Sequence, residues 1–352
     1  MRSIAGGEPD VGARDGQDGD GAGAGAGGSA SRSPADLDRT RLLTKVAWMY
    51  HNRGLKQNEI AAQLGLSQSR VSRLLDQAVA AGVVRTVVVV PDGLHAELEE
   101  ALERRYGLHE AHVFDVGDGA DERSLVRDLG QLLAGRLDSR PLDAAVIGFT
   151  SWSRSLRETV RAMRRPPQSS ARYVVEMLGD VGPPDVQHQA AQLTQQLAGL
   201  TGAEPRFLRI PGVVPSPEVR RALLAHDVHA QEALGLLDRV DLALSGIGTC
   251  QVDPPLQPGG NFFTAEQFEY ARSLGAVGQV NLRFIAEDGA PVHSELDELV
   301  VGVTLEQLAT CDRTLAVAGG PGKYAAIRAA VRGGWVNSLA TDVATARFLL
   351  SG

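Results

Sequence analysis

The chain has 352 residues, of which 43% are hydrophobic and 22% are charged, and its formal net charge is −8. It contains no apolar run of about 18 residues, so we expect no membrane-spanning helix. Its two cysteines lack metal-ligand spacing, and such sparse cysteine use is typical of a reducing, cytoplasmic environment. The length favours two domains. Taken as a whole, the negative charge argues against a nucleic-acid partner.

The first 36 residues form a segment rich in Gly and Ala that includes the run GDGAGAGAGG. After Met1, only Ile4 and Val11 are branched apolar residues there. So little apolar surface cannot offset the entropy lost on ordering, so we expect residues 1–36 to be disordered. The segment also lacks the apolar stretch after a basic start that marks a signal peptide.

The charge is divided unevenly along the chain. Residues 37–86 carry eight Lys or Arg and three acidic residues, a net charge of +5, whereas residues 1–36 carry −3 and the remainder carries −10. A small basic segment joined to a large acidic one is the pattern of a nucleic-acid-binding module attached to a ligand-binding or oligomerisation domain. We therefore predict a DNA-binding domain at 37–91 and an effector and oligomerisation domain at 92–352.

Three helical segments follow one another in the basic part. The first, RLLTKVAWMYHNRG, has apolar residues at helical spacing and ends at Gly54. The second is Gln57–Leu64, with Glu59 as the acidic half of a capping box. Gly65 then supplies a tight turn, and Ser67 is a favourable N-cap for the third helix. Two helices joined in this way predict a helix-turn-helix, whose second helix enters the major groove of DNA.

The start of the third helix carries the residues that we expect to contact DNA. They lie largely off its apolar stripe and are Gln68, Ser69, Arg70, Ser72 and Arg73. Gln pairs well with adenine and Arg with guanine, but the two arginines can equally hold phosphates without reading sequence. A helical hairpin with a solvated basic face is the alternative. The β-branched run GVVRTVVVVP that follows predicts a strand or wing.

From residue 92 onward, helical stripes alternate with short apolar runs. The predicted helices include HAELEEALERRYGL, SLVRDLGQLLAGRL, QAAQLTQQLAGLTG and SPEVRRALLAHDVHAQEALGLL, and the predicted strands are AHVFDV, AAVIGFT, RYVVEML, RFLRIPG, VDLALSGIG and RTLAVAGG. Apolar strands that alternate with helices predict an α/β fold with a mostly parallel sheet covered on both faces. Ligands of such sheets bind beyond the carboxyl ends of the strands, where Gly-rich loops lie at 148–153, 179–182, 246–249 and 319–323.

The last of these loops, GGPGK, invites comparison with a P-loop but lacks its pattern. Val317 stands where the first Gly is required, and Tyr324 follows Lys323 in place of Ser or Thr. Backbone amides, a helix start and one lysine can still seat an anion there. The alternatives are plain turn glycines and a solvated surface lysine, and for Trp152 the alternative is core packing. No nucleophile elbow, zinc motif or cysteine pair is evident, so we predict no catalytic residue, metal or cofactor.

Together these segments resemble the SorC family of bacterial sugar-responsive transcriptional regulators. The resemblance runs from about Leu42 to the C-terminus and rests on QNEIAAQLGLSQSRVSRLLDQAVAAGVV, VIGFTSWSRSL, VVEMLGDVG, VDLALSGIG, GAVGQVNLRFIAEDGAPV and LAVAGGPGKYAAIRAAVRGGWVNSLATDVATARFLL. It implies a winged-helix-like DNA-binding domain and a Rossmann-like effector domain of the ribose-5-phosphate isomerase and glucosamine-6-phosphate deaminase type. It also implies a homotetramer, a dimer of dimers, that binds palindromic operator DNA and responds to a phosphorylated sugar.

The resemblance further implies which residues hold the effector. These are Gly148, Thr150, Ser151 and Ser153 around the phosphate, Gln279 and Asn281 at hydroxyl-contacting positions, and Lys323. Two departures stand out. Family members frequently carry Asp at position 279, and many have Gly after the Trp, where this chain has Ser153.

The sequence therefore predicts a DNA-binding regulator of carbohydrate metabolism whose operator binding is controlled by a phosphorylated sugar. One alternative is a sugar-phosphate isomerase or deaminase with an appended DNA module, and another is a scaffold that binds no ligand. An isomerase needs a general base beside the sugar, and Gln279 cannot take up a proton at neutral pH, which disfavours the enzyme.

Overall fold

The computed structural model describes residues 34–84, 94–116 and 121–351. The chain divides into two compact units, with the division at residues 89 and 90. The predicted boundary after residue 91 lies two residues later, in a stretch outside the described residues. The same holds for most of the predicted strand or wing, of which only Gly82, Val83 and Val84 are described, and these form no strand. Of the predicted disordered tail, residues 1–33 lie outside the described residues, whereas a helix begins at Pro34.

The first unit is a bundle of three helices. They are α1 (Pro34–His51), α2 (Gln57–Leu64) and α3 (Gln68–Ala80). The side chains of Val46, Ile60, Val71 and Ala78 are completely buried between them. The apolar stripe predicted for the third helix is thus the face that packs against the other two.

The turn between α2 and α3 follows from local chemistry. Glu59 accepts a hydrogen bond from the backbone amide of Lys56 at 2.8 Å, which satisfies one free amide at the start of α2. Gly65 ends α2 with φ at 66°, a left-handed conformation that favours glycine. Ser67 caps α3 and accepts from the Arg70 amide at 3.3 Å. The predicted helix-turn-helix is therefore confirmed.

The second unit is an α/β domain with ten helices among its described residues. They are α4 (Ala96–Tyr106), α5 (Glu122–Asp138), α6 (Arg154–Ala162), α7 (Pro184–Thr201), α8 (Pro217–His226), α9 (Val228–Leu237), α10 (Ala265–Ser273), α11 (Leu305–Thr310), α12 (Tyr324–Arg332) and α13 (Val343–Ser351). Short 3₁₀ turns occur at Gln257–Gly259, Glu295–Leu299 and Pro321–Lys323. None of the described helices is both long and apolar enough to cross a membrane.

The strands form one large and one small sheet. They are β1 (Glu110–Phe114), β2 (Val146–Phe149), β3 (Tyr173–Glu176), β4 (Glu204–Arg206), β5 (Leu242–Ser245), β6 (Gly248–Thr249), β7 (Ala276–Val280), β8 (Arg283–Ala286), β9 (Arg313–Val317) and β10 (Ser338–Asp342). The large sheet has the order β1-β10-β9-β5-β2-β3-β4 with all pairs parallel, and the small antiparallel sheet has the order β6-β7-β8. The central strands β2 and β5 are buried along their whole length, as a sheet covered on both faces requires. The predicted α/β fold with a mostly parallel sheet is confirmed.

Three local predictions were wrong or incomplete. The segment RFLRIPG is not a strand, because β4 ends at Arg206 and the Leu208 amide donates to the Glu176 carboxylate at 3.1 Å instead of to a neighbouring strand. Strand β10, SLATD, was not predicted because three of its five residues are polar, although all five are buried. The long helix predicted from SPEVRR onward is two helices, because Asp227 leaves the helical conformation and caps α9 through the Ala230 amide at 2.9 Å.

The β1 edge of the large sheet is closed by carboxylates of a neighbouring helix. Strand β1 pairs with β10 on one side only. Its Ala111 and Val113 amides donate to Glu103 and Glu99 of α4, each at 2.9 Å. An unpaired strand edge is a template for aggregation, and these carboxylates occupy its donors.

Candidate DNA interface and effector cavity

The five predicted DNA-contacting residues lie in the first half of α3. Gln68, Ser69, Arg70 and Arg73 are exposed, and Ser72 is half-buried. The buried positions of the same helix, such as Val71 and Leu75, face the bundle. The fold therefore presents this polar end of α3 to solvent, which the docking of a recognition helix in a major groove requires.

The two arginines at this end of α3 differ in their contacts with the described residues. The Arg73 Nε group donates to the Ser69 backbone oxygen at 3.3 Å along the helix. Arg70 is exposed in the first turn of α3, where its backbone amide donates to the Ser67 hydroxyl at 3.3 Å. Both predicted roles of these arginines, reading a base and holding a phosphate, are compatible with this geometry and stay predictions.

A cavity of the second unit lies beyond the carboxyl ends of β2, β5 and β9. Its volume is about 580 Å³. It is lined by the loops 246–249 and 319–323, by the start of α5, and by residues 150 and 152–155 at the start of α6. These three strands are neighbours in the sheet, so their following loops meet at one edge, which is where ligands bind in such folds.

The start of α6 offers hydrogen-bond donors to this cavity. Ser153 is the N-cap, and its hydroxyl accepts from the Leu156 amide at 3.5 Å. The amides of Arg154 and Ser155, both of which line the cavity, belong to the first turn and have no acceptor within the helix. Together with the helix dipole, they make this end of α6 suitable for an anion.

Lys323 adds a positive charge to the same cavity. Its Nζ group donates to the Ile247 carbonyl oxygen at 2.8 Å. Burial lowers the pKa of Lys323, and the neighbouring Arg154 guanidinium lowers it further, whereas Glu122 and Asp253 have the opposite effect. The residue is therefore an ordered part of the cavity wall, and the alternative of a solvated surface lysine is wrong.

The glycines before Lys323 are required because their loop lies very close to the side chains of Asp342 and Thr345. The Gly320 amide donates to the Asp342 carboxylate at 3.0 Å and to the Thr345 hydroxyl at 2.9 Å. A Cβ atom on Gly319 would lie 2.2 Å from the same carboxylate, and Gly320 has φ at 92°. These two glycines thus let the end of β10 hold the loop that carries Lys323.

Four of the seven predicted effector residues line the cavity. They are Thr150, Ser153, Gln279 and Lys323, and their predicted roles toward an effector stay predictions. The Gln279 side chain lies against Gly248, where a Cβ atom would be 1.9 Å from Nε2. Its Oε1 accepts a hydrogen bond from the Leu282 backbone amide at 2.8 Å. The Nε2 group of the Gln279 side chain therefore faces the 246–249 loop.

The other three predicted residues do not line the cavity. Gly148 lies inside β2, where a Cβ atom would come within 2.7 Å of the Met177 sulfur, and Ser151 is buried beside the cavity wall. Asn281 accepts from the Thr150 hydroxyl at 2.8 Å and donates to the Ser245 hydroxyl at 3.2 Å. These two bonds connect Asn281, which is buried, to the loop after β2 and to the end of β5 from behind the cavity.

Sequence reasoning missed the charged residues at the rim of the cavity. Arg154 and Glu122 both line it and form an ion pair, with Arg154 Nη2 and Glu122 Oε1 separated by 2.7 Å. Asp253 lines it as well. Arg154 and Glu122 each follow an N-cap residue, Ser153 and Asp121 respectively, and that position at a helix start was the available signal. In the described part of the chain, no group of three His, Cys, Asp or Glu is arranged to hold a metal ion.

Comparison with known proteins identifies both units. The family model described as "Putative sugar-binding domain" matches residues 93–351, and the MarR family model, a helix-turn-helix type, matches residues 46–93. The chain belongs to the SorC family of sugar-binding transcriptional regulators. The sorbitol operon regulator of Klebsiella pneumoniae is 27% identical over 317 residues, 89% of this chain and 98% of the relative. The transcriptional regulator LsrR of Klebsiella pneumoniae is 31% identical over 329 residues, 90% of this chain and 94% of the relative.

Solved structures of SorC proteins agree with this assignment. The full-length sorbitol operon regulator SorC from Klebsiella pneumoniae superimposes with a TM-score of 0.64 and 26% identity, over 89% of this chain and all of that one. The deoxyribonucleoside regulator of Bacillus subtilis is a further relative, 29% identical over 90% of this chain and 99% of its own length. These relatives are named as regulators, so this SorC protein is a transcriptional regulator with a sugar-binding domain, and the enzyme alternative is wrong.

Proposed function

We propose that this SorC protein binds operator DNA through α3 and that a phosphorylated sugar in the cavity controls this binding. The observation that carries the proposal is the convergence of Lys323, Arg154 and the free amides of α6 on one cavity. A neutral sugar needs hydroxyl partners but no cluster of cationic and amide donors. A phosphate dianion is the ligand that such a cluster recognises.

The Glu122 carboxylate at the rim of the cavity does not cancel this preference. Glu122 has 67% of its side chain exposed, and its carboxylate is paired with Arg154 at the rim. Its charge is screened by water, whereas Lys323 is largely buried and interacts more strongly with a bound anion. A phosphate placed at the start of α6 is therefore attracted by Lys323 and repelled only weakly by Glu122.

Control of DNA binding requires two arrangements of the protein that bind the sugar phosphate with different affinities. We propose a homotetramer, a dimer of dimers, in which the ligand changes the separation of two recognition helices on a palindromic operator. Half-sites about one helical turn apart fix that separation, so a small change between subunits alters the affinity.

The test starts from duplexes selected from a random DNA library by the purified protein at low salt, where phosphate contacts are strongest. Fluorescence anisotropy then measures operator binding with glucose 6-phosphate, fructose 6-phosphate, ribose 5-phosphate and the unphosphorylated sugars. We expect one phosphorylated sugar to shift the operator titration and its unphosphorylated parent to leave it unchanged. Failure to select any DNA, or an equal shift by a parent sugar, contradicts the proposal.

A further inference from the structure

The charged side chains in the wall of the cavity balance one another. Among the described residues that line it, two side chains are positive and two are negative, and these are Lys323, Arg154, Glu122 and Asp253. The amides and the dipole of α6 strengthen the positive part, but they act only at the first turn of that helix. One phosphate group at this turn therefore occupies the cationic part of the wall, and no other cationic side chain of the described residues lines the cavity for a second phosphate group.

Asp253 is the carboxylate that remains available in this wall. Glu122 is paired with Arg154 at 2.7 Å, whereas the Asp253 carboxylate forms no hydrogen bond or ion pair with another described residue. Asp253 is half-buried, and it lies close enough to Lys323 for its charge to oppose the lowering of the Lys323 pKa. A carboxylate without donors of its own repels an anionic group of a ligand and accepts hydrogen bonds from a hydroxyl group.

The local chain geometry holds Asp253 in the cavity wall. The Leu256 amide donates to the Asp253 backbone oxygen at 2.9 Å, which closes a turn with Pro254 at its second position. The ring of Pro254 restricts the backbone, and Leu256 is buried in an apolar cluster with Phe262. The carboxylate is therefore carried by an anchored turn, so a bound ligand meets it at a defined place.

The size of the cavity does not select against a second phosphate group. Its volume of about 580 Å³ is typical of pockets that enclose drug-sized ligands, and a hexose bisphosphate is of that size. A selection between ligands with one and two phosphate groups must therefore come from charge. Proteins often achieve such selection with a group that repels the wrong ligand.

We propose that Asp253 is a specificity-determining residue, which makes the cavity select a sugar monophosphate over the corresponding bisphosphate. This proposal rests on the proposed function and narrows its ligand class. With the phosphate at α6 and Lys323, a hydroxyl group on the rest of the sugar donates to the Asp253 carboxylate. A second phosphate group in place of this hydroxyl group loses the hydrogen bond and brings two negative charges together without a cation.

The test compares each monophosphate with its bisphosphate by calorimetry, using glucose 6-phosphate with glucose 1,6-bisphosphate and fructose 6-phosphate with fructose 1,6-bisphosphate. For the pair whose monophosphate binds best, the wild type should bind the bisphosphate at least about 10-fold more weakly, which is the size of one close repulsion at a partly solvated site. Asp253→Asn keeps the shape and one acceptor oxygen but removes the charge. It should reduce the ratio of the two dissociation constants by about fivefold or more.

The matched control is Asp312→Asn, which makes the same change of charge outside the cavity. Asp312 is exposed and precedes β9, at the opposite edge of the sheet from the cavity. It should leave the ratio unchanged. Because the ratio compares two ligands on the same variant, a general effect on folding or on net charge cancels from it.

A second variant reverses the charge. Asp253→Lys supplies the missing cation, so its bisphosphate should bind at least as tightly as its monophosphate. A loss of loop support weakens both ligands alike and does not reverse their order, so this variant separates a role in specificity from a structural one.

The outcomes also separate this proposal from the proposed function. A wild type that binds a bisphosphate as tightly as its monophosphate, or a ratio that is the same in D253N and in the wild type, overturns the role of Asp253 and leaves the proposed function standing. A D253K variant that keeps the wild-type preference overturns the role of Asp253 as well. A wild type that binds no phosphorylated sugar of the panel overturns the proposed function itself.

Discussion

Replacing Lys323 with Met removes the buried positive charge of the cavity and keeps a side chain of similar length. The Nζ group is fixed in the wall, 2.8 Å from the Ile247 carbonyl oxygen. A hydrogen bond from an ammonium group to a phosphate oxygen contributes about 1.5–3 kcal/mol. A loss of that size weakens the dissociation constant about 10- to 150-fold. Because Lys323 is largely buried, we expect a value in the upper half of this range.

Calorimetric titration at pH 7 with the sugar phosphate that shifts operator binding measures this loss. The control is Arg332→Met, which removes a positive charge from the exposed last turn of α12, the helix that follows Lys323. It should change the sugar-phosphate affinity little, and both variants should bind operator DNA as the wild type does in the absence of ligand. A loss below about threefold for K323M, or an equal loss for R332M, would refute the role of Lys323.

The direction of the Lys323 pKa adds a pH dependence to the same experiment. Burial lowers this pKa, so Lys323 loses its proton at a lower pH than a lysine in water does. The sugar-phosphate affinity of the wild type should therefore begin to fall at that lower pH. The K323M variant should lack this alkaline loss. The lowered pKa also means that the charged form is disfavoured in the folded protein, so K323M should unfold at the same or a higher temperature. A clear decrease in its melting temperature would show that Lys323 is primarily structural.

Three further predictions concern other parts of the molecule. Arg70→Ala should weaken operator binding by about 1–3 kcal/mol in anisotropy titrations if its contact is a bidentate pair with guanine, and no loss would remove Arg70 from the interface. Glu103→Ala leaves the Ala111 amide without its acceptor and should lower the free energy of unfolding by about 1 kcal/mol in urea; an unchanged value would show that water replaces the carboxylate. Burial lowers the pKa of His112 to about 4. The unfolded chain therefore binds a proton at His112 at a higher pH than the folded protein does. The free energy of unfolding should be at its full value above pH 6.5 and should fall by about 3 kcal/mol as the pH decreases towards 4. In the His112→Phe variant, the free energy of unfolding measured in urea should depend less on pH between 6.5 and 4. An unchanged pH dependence would show that His112 does not cause it.

The helix-turn-helix was predictable because its determinants are local. Glu59, Gly65 and Ser67 each act within three or four residues of their own position, and the buried stripe of α3 has helical spacing. The parallel sheet was predictable for a related reason, since β2 is apolar throughout and β5 is apolar except for its last residue, Ser245. Strand β10 was not predicted because Thr341 and Asp342 are polar residue types that are usually exposed, whereas both are buried here.

The cavity was only partly predictable because it depends on long-range contacts and on side-chain direction. Arg154 and Glu122 are 32 residues apart, and only the packing of α5 against α6 brings them together. Asn281 has φ at 50° and Leu282 has φ at 62°, so a turn normally built with glycine is made here by two other residues. This turn directs Asn281 to Thr150 and Ser245 instead of into the cavity.

The most direct test of the central claim is the thermodynamic linkage between the two units. If a sugar phosphate in the cavity changes operator affinity by some factor, operator DNA must change the sugar-phosphate affinity by the same factor. Calorimetry with and without saturating operator measures the second factor, and anisotropy measures the first. We predict equal factors in the wild type and a loss of both in K323M. A sugar-phosphate dissociation constant that is the same with and without operator, for a ligand that binds in the cavity, would contradict the account.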